Sequence, residues 1–214
     1  MINPYANTIG ITGIIGSGKS SVADVLEKKG AFVIRADVLA AEALNPSYRN
    51  YNILKQKLCE LLEFHGVGNR VDEIIVKGEI NRKKLGEIVF GNAELIRGLN
   101  DIVHPEVKEI FAREVARVKK KNTIIVYDVP LLFETGLQQF LKKSVLVYAP
   151  EDVSIERAAI RLGISTDQVK KRLSYQISIE QKKDMADYVL DNSGNRKQLD
   201  TEVEKLWRYL QELK

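Results

Sequence analysis

The chain has 214 residues, 44% of them hydrophobic and 29% charged. That is enough for one well-buried domain or a core with an inserted lobe, and too short for a multi-domain motor. The composition, free of repeats and low-complexity tracts, excludes a disordered or fibrous protein. With 33 Lys and Arg against 29 acids, the net charge of +4 stays within the range usual for solubility and suits an anionic small molecule as well as any polymer, so nucleic-acid binding does not follow from it. No apolar stretch of signal-peptide length precedes Gly10, and no run approaches the ~18 apolar residues of a membrane span. The expectation is a soluble cytoplasmic protein. A single cysteine, Cys59, rules out an internal disulfide and a Cys-based metal site, and its leucine neighbours predict a small buried hydrophobe.

In chain order, the first element is a β-branched run, Thr8 to Thr12, predicted as a strand. Gly13-Ile14-Ile15-Gly16-Ser17-Gly18-Lys19-Ser20 follows, and a helical pattern over 19–29 comes after it. This is G-x-x-x-x-G-K-[ST] between a strand and a helix, the setting of a phosphate-binding loop. Glycines let successive backbone N–H groups turn around an anion, Lys19 reaches the β- and γ-phosphates, and the Ser20 hydroxyl ligates Mg²⁺. A second strand is predicted at Ala31 to Ile34, with Asp37 just beyond it. From there to Asn122 no convincing strand is found. Helical patterns such as Ile53/Leu54/Leu58/Leu61/Leu62 and Leu95/Leu99 predict an inserted helical lobe, a candidate for substrate binding.

Pro105 suits the first turn of a helix predicted over 106–120 and should push His104 out of helical geometry, so His104 either caps that helix, packs the lobe or contacts substrate. Strands are predicted next at Thr123 to Tyr127, Ser144 to Tyr148 and Tyr188 to Leu190, alternating with helices near 151–162, 166–184 and 196–213. Such alternation predicts an α/β fold of three layers, a parallel sheet with helices on both faces and its ligand at the carboxyl ends of the strands. Asp128 closes a strand and either orders Mg²⁺ through water or serves as a turn. Arg157 and Arg161 share a helix face. Together with Lys170, Lys171 and Arg172 they read as a closing lid or as a solvated basic face. Phe133 and Trp207 are expected in the core.

Val33-Ile34-Arg35-Ala36-Asp37, Leu99-Asn100 with His104-Pro105, Asp128-Val129-Pro130-Leu131-Leu132-Phe133-Glu134, Arg157 with Arg161, Arg172 with Gln176, and Ala186-Asp187-Tyr188-Val189-Leu190-Asp191-Asn192, together with the loop, resemble the dephospho-CoA kinases, in order from about Ile9 to Gly194. The resemblance implies a P-loop kinase fold with core 1–37, 122–150 and 185–214, a helical CoA-binding lobe over about 38–121 and a lid over about 151–184. It implies transfer of the ATP γ-phosphate to the ribose 3′-hydroxyl of dephospho-CoA, with ATP and Mg²⁺ bound, in a monomer or small homo-oligomer that needs neither membrane nor nucleic acid.

Carried onto this chain, the resemblance makes Gly16, Ser17, Gly18, Lys19, Ser20 and Ser21 the ATP loop. It makes Asp37 the catalytic carboxylate, assisted by Lys19 and Arg161. Arg157 and Asn192 become further nucleotide contacts, with Asn192 near the adenine, and Ser20 with Asp128 becomes the metal site. Two positions depart from the family pattern, Arg35 where an acid is frequent and Ser154 where Gln is frequent. As residues i and i+2 of an extended segment, Arg35 and Asp37 should pair and favour the ionised carboxylate. A GTPase is not supported, since the nearest string to [NT]-K-x-D is Gln181-Lys182-Lys183-Asp184, within a helical pattern. A P-loop kinase of another nucleotide or small metabolite is the alternative.

Overall fold

The computed structural model describes residues 3–89, 92–118 and 122–213. In chain order its elements are β1 (Thr8–Thr12), α1 (Lys19–Lys28), β2 (Phe32–Arg35), α2 (Ala36–Ala43), α3 (Tyr51–Phe64), α4 (Val71–Ile74), β3 (Ile75–Val76) and β4 (Glu79–Ile80). They continue with α5 (Arg82–Val89), α6 (Ala93–Ala116), β5 (Ile125–Asp128), β6 (Lys143–Tyr148), α7 (Glu151–Leu162), α8 (Thr166–Leu173), α9 (Ile179–Met185), β7 (Tyr188–Asp191) and α10 (Arg196–Glu212). The chain folds as two compact units, one made of the residues up to Ala36 and from Glu114 onward, the other of Asp37–Arg113.

The first unit holds a five-stranded sheet ordered β2-β5-β1-β6-β7, with every pairing parallel. Parallel strands are buried on both faces and need helical crossovers, and the period-2 alternation of β6 shows both faces at work. Val145 and Val147 join Ile9, Ile11 and Leu190 against Val22 and Leu26 of α1 and Leu199, Val203, Leu206 and Leu210 of α10. Leu146 faces the opposite way, against Ile155 and Ala158 of α7, Val169 and Leu173 of α8, and Ile179 of α9. These are the expected three layers. Phe133 is buried, and Trp207 is half-buried at the margin of the α10 cluster. From β1 the chain passes to the β5 side of the sheet and later returns across β1 to β6, so the carboxyl end of β1 lies where the strand order reverses, the place where open α/β sheets bind ligands.

The predicted helix over 166–184 is two helices separated at 174–178. Both starts are visible in the sequence once sought: Ser165 and Gln168 form a capping box at α8, and Ser178 accepts from the Gln181 N–H at α9. These caps satisfy helix N–H groups that would otherwise be orphaned.

The second unit is mainly helical. Tyr51, Leu58 and Leu62 of α3 pack with Ile74, Ile80, Leu85, Ile88, Val89 and Leu95. Three expectations are corrected in it. A two-stranded antiparallel hairpin, β3 with β4, occurs where no strand was expected; its strands are only two residues long, and the Tyr51 hydroxyl accepts from the Ile80 N–H at 2.8 Å. Pro105 lies inside α6 and does not begin a helix, so His104 is helical and caps nothing; residues 119 and 120 of the predicted helix lie outside the described residues. Proline removes the N–H that would donate to the Asp101 carbonyl, at ~3 kcal/mol or more, yet Leu95, Val103, Val107, Ile110 and Phe111 bury one continuous stripe of α6, and that packing outweighs the local loss. Cys59 is half-buried, and burial pushes its thiol up. No described helix is long and apolar enough to cross a membrane.

Candidate active site

The loop after β1 is shaped by two glycines in left-handed geometry, Gly16 at φ +85° and Gly18 at φ +90°. Neither position has room for a side chain. A Cβ on Gly16 would stand 1.9 Å from the Ser154 carbonyl oxygen, and one on Gly18 would stand 2.1 Å from Asn192 Nδ2. Gly18 caps α1 with no side-chain hydrogen bond. The first N–H groups of α1, at Lys19, Ser20 and Ser21, are thus left for an anion at the positive end of the helix dipole. Ser17 is wholly buried below this surface, with its N–H donating to the Ile14 carbonyl at 3.1 Å.

Asn192 and Arg157 brace the loop from outside. The Asn192 amide donates to the Ser17 carbonyl at 2.7 Å, and its own N–H donates to the Tyr148 carbonyl at 2.7 Å. Arg157, on α7, donates to the carbonyls of Asn192 at 2.7 Å and Gly194 at 3.2 Å. Arg161, one turn further, is exposed and has no ion-pair partner among the described residues.

Asp128 ends β5 level with Ile11 of β1 and Arg35 of β2. Its carboxylate is buried and paired with the Lys19 ammonium. Ser20 is exposed at the start of α1. Serine hydroxyl and carboxylate are hard oxygen donors, the chemistry that Mg²⁺ takes in combination with phosphate oxygens, so this donor set fits the ion.

Asp37 stands in the first turn of α2, two residues beyond β2, exposed, with its carboxylate accepting from the Val38 N–H at 2.9 Å. The expected Arg35–Asp37 pair is not formed. α2 begins at Ala36, so the segment is not extended across these residues. Arg35 instead donates to Asp24 at 2.7 Å and Glu27 at 2.9 Å on α1, which hold its guanidinium above the ordinary value.

Sequence reasoning gave no role to Glu134 or Lys182. Lys182 is 0% exposed and its ammonium lies 2.8 Å from Glu134 Oε1 as an ion pair; that oxygen accepts from the Ile177 N–H at 2.9 Å. Burial lowers the Lys182 ammonium from its ordinary value, Glu134 partly restores it, and Lys19 pushes it down again. The available signal was its position three residues after Ile179 in a short helix, which places it on the buried face.

In the helical unit a cleft of about 520 Å³ is lined by Tyr48, Arg49, Arg82 and Arg113 among others. Arg49 pairs with Glu109 and Arg113 with Glu42; Arg82 is exposed on the wall. The Tyr48 hydroxyl, pushed up to about 12 by burial and by Glu106, to which it donates at 2.7 Å, remains protonated.

A glycine-wrapped, uncapped helix start, a lysine at its first position and a strand-end carboxylate at the switch point of a parallel sheet define a P-loop nucleotide-binding protein. The family model for dephospho-CoA kinase matches residues 7–198. The dephospho-CoA kinase of Thermobifida fusca is 39% identical, with 95% of this chain and 96% of the relative covered. That of Bacillus licheniformis is 37% identical, covering 92% and 94%. Among solved structures, TT1252 from Thermus thermophilus superposes with a TM-score of 0.77 at 32% identity, covering 96% of this chain and 98% of that one. The dephospho-CoA kinase from Campylobacter jejuni gives 0.57 at 26%, covering 96% and 97%. The chain belongs to the dephospho-CoA kinase family.

Proposed function

We propose that this chain transfers the γ-phosphate of ATP to the ribose 3′-hydroxyl of dephospho-CoA, giving coenzyme A and ADP. The observation that carries the reading is the anion cradle at α1, whose N–H groups and Lys19 converge at the carboxyl edge of β1. The family supplies the acceptor. Phosphoryl transfer asks little covalent chemistry of the protein and depends on positioning and on charge stabilisation. Gly16, Ser17, Gly18, Lys19, Ser20 and Ser21 hold the phosphates, and Lys19 exchanges Asp128 for the β- and γ-oxygens. Ser20 and Asp128 are the residues that would hold Mg²⁺, which neutralises charge between those oxygens when bound.

Asp37 orients the 3′-hydroxyl and takes its proton. Arg161 supplies charge from α7. Asn192, with Arg157 clamped on the carbonyls beyond it, keeps the loop in shape close to the nucleotide. Arg82 and its cleft suit the pyrophosphate of the acceptor. The protein works in the cytoplasm on small molecules, as a monomer or small homo-oligomer. The test is ADP release with dephospho-CoA, adenosine, AMP or water, each with and without Mg²⁺. Binding energy from the pyrophosphate and pantetheine arm is used to orient the hydroxyl, so truncated acceptors should lose turnover as well as affinity. Equal or faster turnover with a nucleoside monophosphate, gluconate or shikimate would assign the chain to another kinase reaction.

A further inference from the structure

Three residues spaced along α6 hold the side chains that line the cleft of the helical unit. Glu106 accepts from the Tyr48 hydroxyl at 2.7 Å, Glu109 pairs with Arg49, and Arg113 pairs with Glu42 of α2. The two arginine pairs are exposed, and exposed pairs fix little. The Tyr48 contact is partly buried, and the Asn50 amide donates to both oxygens of the same carboxylate at 3.1 and 3.0 Å. The chain ahead of Tyr48 is fixed as well. Asn45 Oδ1 accepts from the Ser47 N–H at 2.9 Å and hydroxyl at 2.6 Å, and the Asn45 carbonyl accepts from the Tyr48 N–H at 2.8 Å. Tyr48 packs against the helical core and also lines the cleft, and among the described residues it is the one aromatic side chain that does so. Its hydroxyl is taken up by Glu106, so what it offers a ligand is the ring.

We propose that Tyr48, pinned by Glu106, is a specificity-determining residue whose ring stacks on the adenine of the acceptor. At about 520 Å³ the cleft has the size of a small-ligand site. Val38 lines it and follows Asp37, the residue that takes the proton of the 3′-hydroxyl, so the ribose of the acceptor belongs at that end. The ribose carries two groups, the adenine and the pyrophosphate. Arg82 suits the pyrophosphate, which leaves the flat, neutral base for the aromatic wall. A base presents a π-face to any ring, and a ring already held in place loses little freedom when it stacks. Glu106 touches no substrate and acts as a positioning residue through Tyr48.

This inference rests on dephospho-CoA being the acceptor, and the two fail differently. Wild-type protein that releases no ADP with dephospho-CoA would overturn the reaction itself. With an active wild type, the deciding variants are Tyr48→Leu, which keeps apolar bulk against the core, and Tyr48→Phe, which keeps the ring and loses only the bond to Glu106. Tyr48→Leu should raise KM for dephospho-CoA on the order of tenfold or more, with kcat and KM for ATP within about twofold, the pattern of lost uniform binding. Tyr48→Phe should raise it about threefold. A KM in Tyr48→Leu no higher than in Tyr48→Phe would show that the position needs only bulk and overturn the proposal. AMP carries the base without the pantetheine arm, so its kcat/KM should fall by the same factor in Tyr48→Leu. A loss confined to dephospho-CoA would assign Tyr48 to the arm and equally overturn it. Should Tyr48→Leu fail to fold, Glu106→Ala decides, since it leaves the ring and its core packing in place. It should match Tyr48→Phe, and Glu106→Gln, which still accepts from the hydroxyl, should restore wild-type KM; a folded Glu106→Ala protein with wild-type KM overturns the proposal.

Discussion

Replacing Gly16 by alanine tests whether the loop's shape is what the reaction needs. At φ +85° an L residue costs ~1–2 kcal/mol. The added Cβ would also lie 1.9 Å from the Ser154 carbonyl oxygen and 3.1 Å from the Ala158 methyl. The first neighbour is backbone within α7, which cannot swing aside as a flexible side chain does. Restoring a normal contact of ~3.3 Å requires a shift of more than 1 Å in the loop, in α7, or shared between them. A misplacement of about 1 Å at a reacting centre costs on the order of 10²-fold in rate, equivalent to about 2.7 kcal/mol of transition-state stabilisation. Gly30 is the control. It has φ +100°, yet a Cβ there meets nothing within 4 Å, so Gly30→Ala carries backbone strain without the clash. The assay is kcat/KM for ADP release beside thermal unfolding. Gly16→Ala should lose about 10²-fold in kcat/KM, whereas Gly30→Ala should lose only stability. A Gly16→Ala enzyme within threefold of wild type, or no worse than Gly30→Ala, would refute the argument.

Asp37→Asn should retain ATP affinity in a binding titration while losing most of its turnover, because the amide keeps the shape but cannot take the proton; equal losses of affinity and turnover would make Asp37 a metal or structural residue. Asp187 tests acid stability. Burial alone would raise its carboxyl, but hydrogen bonds from Lys143 and from the Ser144 hydroxyl and N–H more than reverse this and hold it below the ordinary value. Its contribution is therefore complete above the unfolded value of about 3.9 and is lost as pH falls through the lower folded value. The gap in thermal midpoint between wild type and Asp187→Ala should narrow as pH drops from about 5 toward 2, and a gap independent of pH would count against it.

Much of the core was legible in the sequence because its signals are local. Thr8–Thr12 and Glu151–Leu162 coincide with their predicted limits, since β-branched residues mark the first and a Pro150 start with a Gly163 stop marks the second. The phosphate loop was readable for the same reason: its residues are contiguous, and each type has one backbone or charge role. What local pattern could not decide was which distant group would meet which. Pro105 reads as a helix start by propensity, and only the buried stripe of α6 carries the helix through it. Arg35 has Asp37 as its neighbour in the chain, but the turn into α2 and the two carboxylates of α1 draw it away. Lys182 reads as one polar residue in a polar run, and it becomes a buried charge only when α9 packs on the sheet and Glu134 arrives from the far side of a loop. Periodicity and propensity act over a few residues and settle which elements form. Burial and charge pairing act between residues dozens of positions apart, so the tertiary structure alone decides which charged side chains those elements bring together.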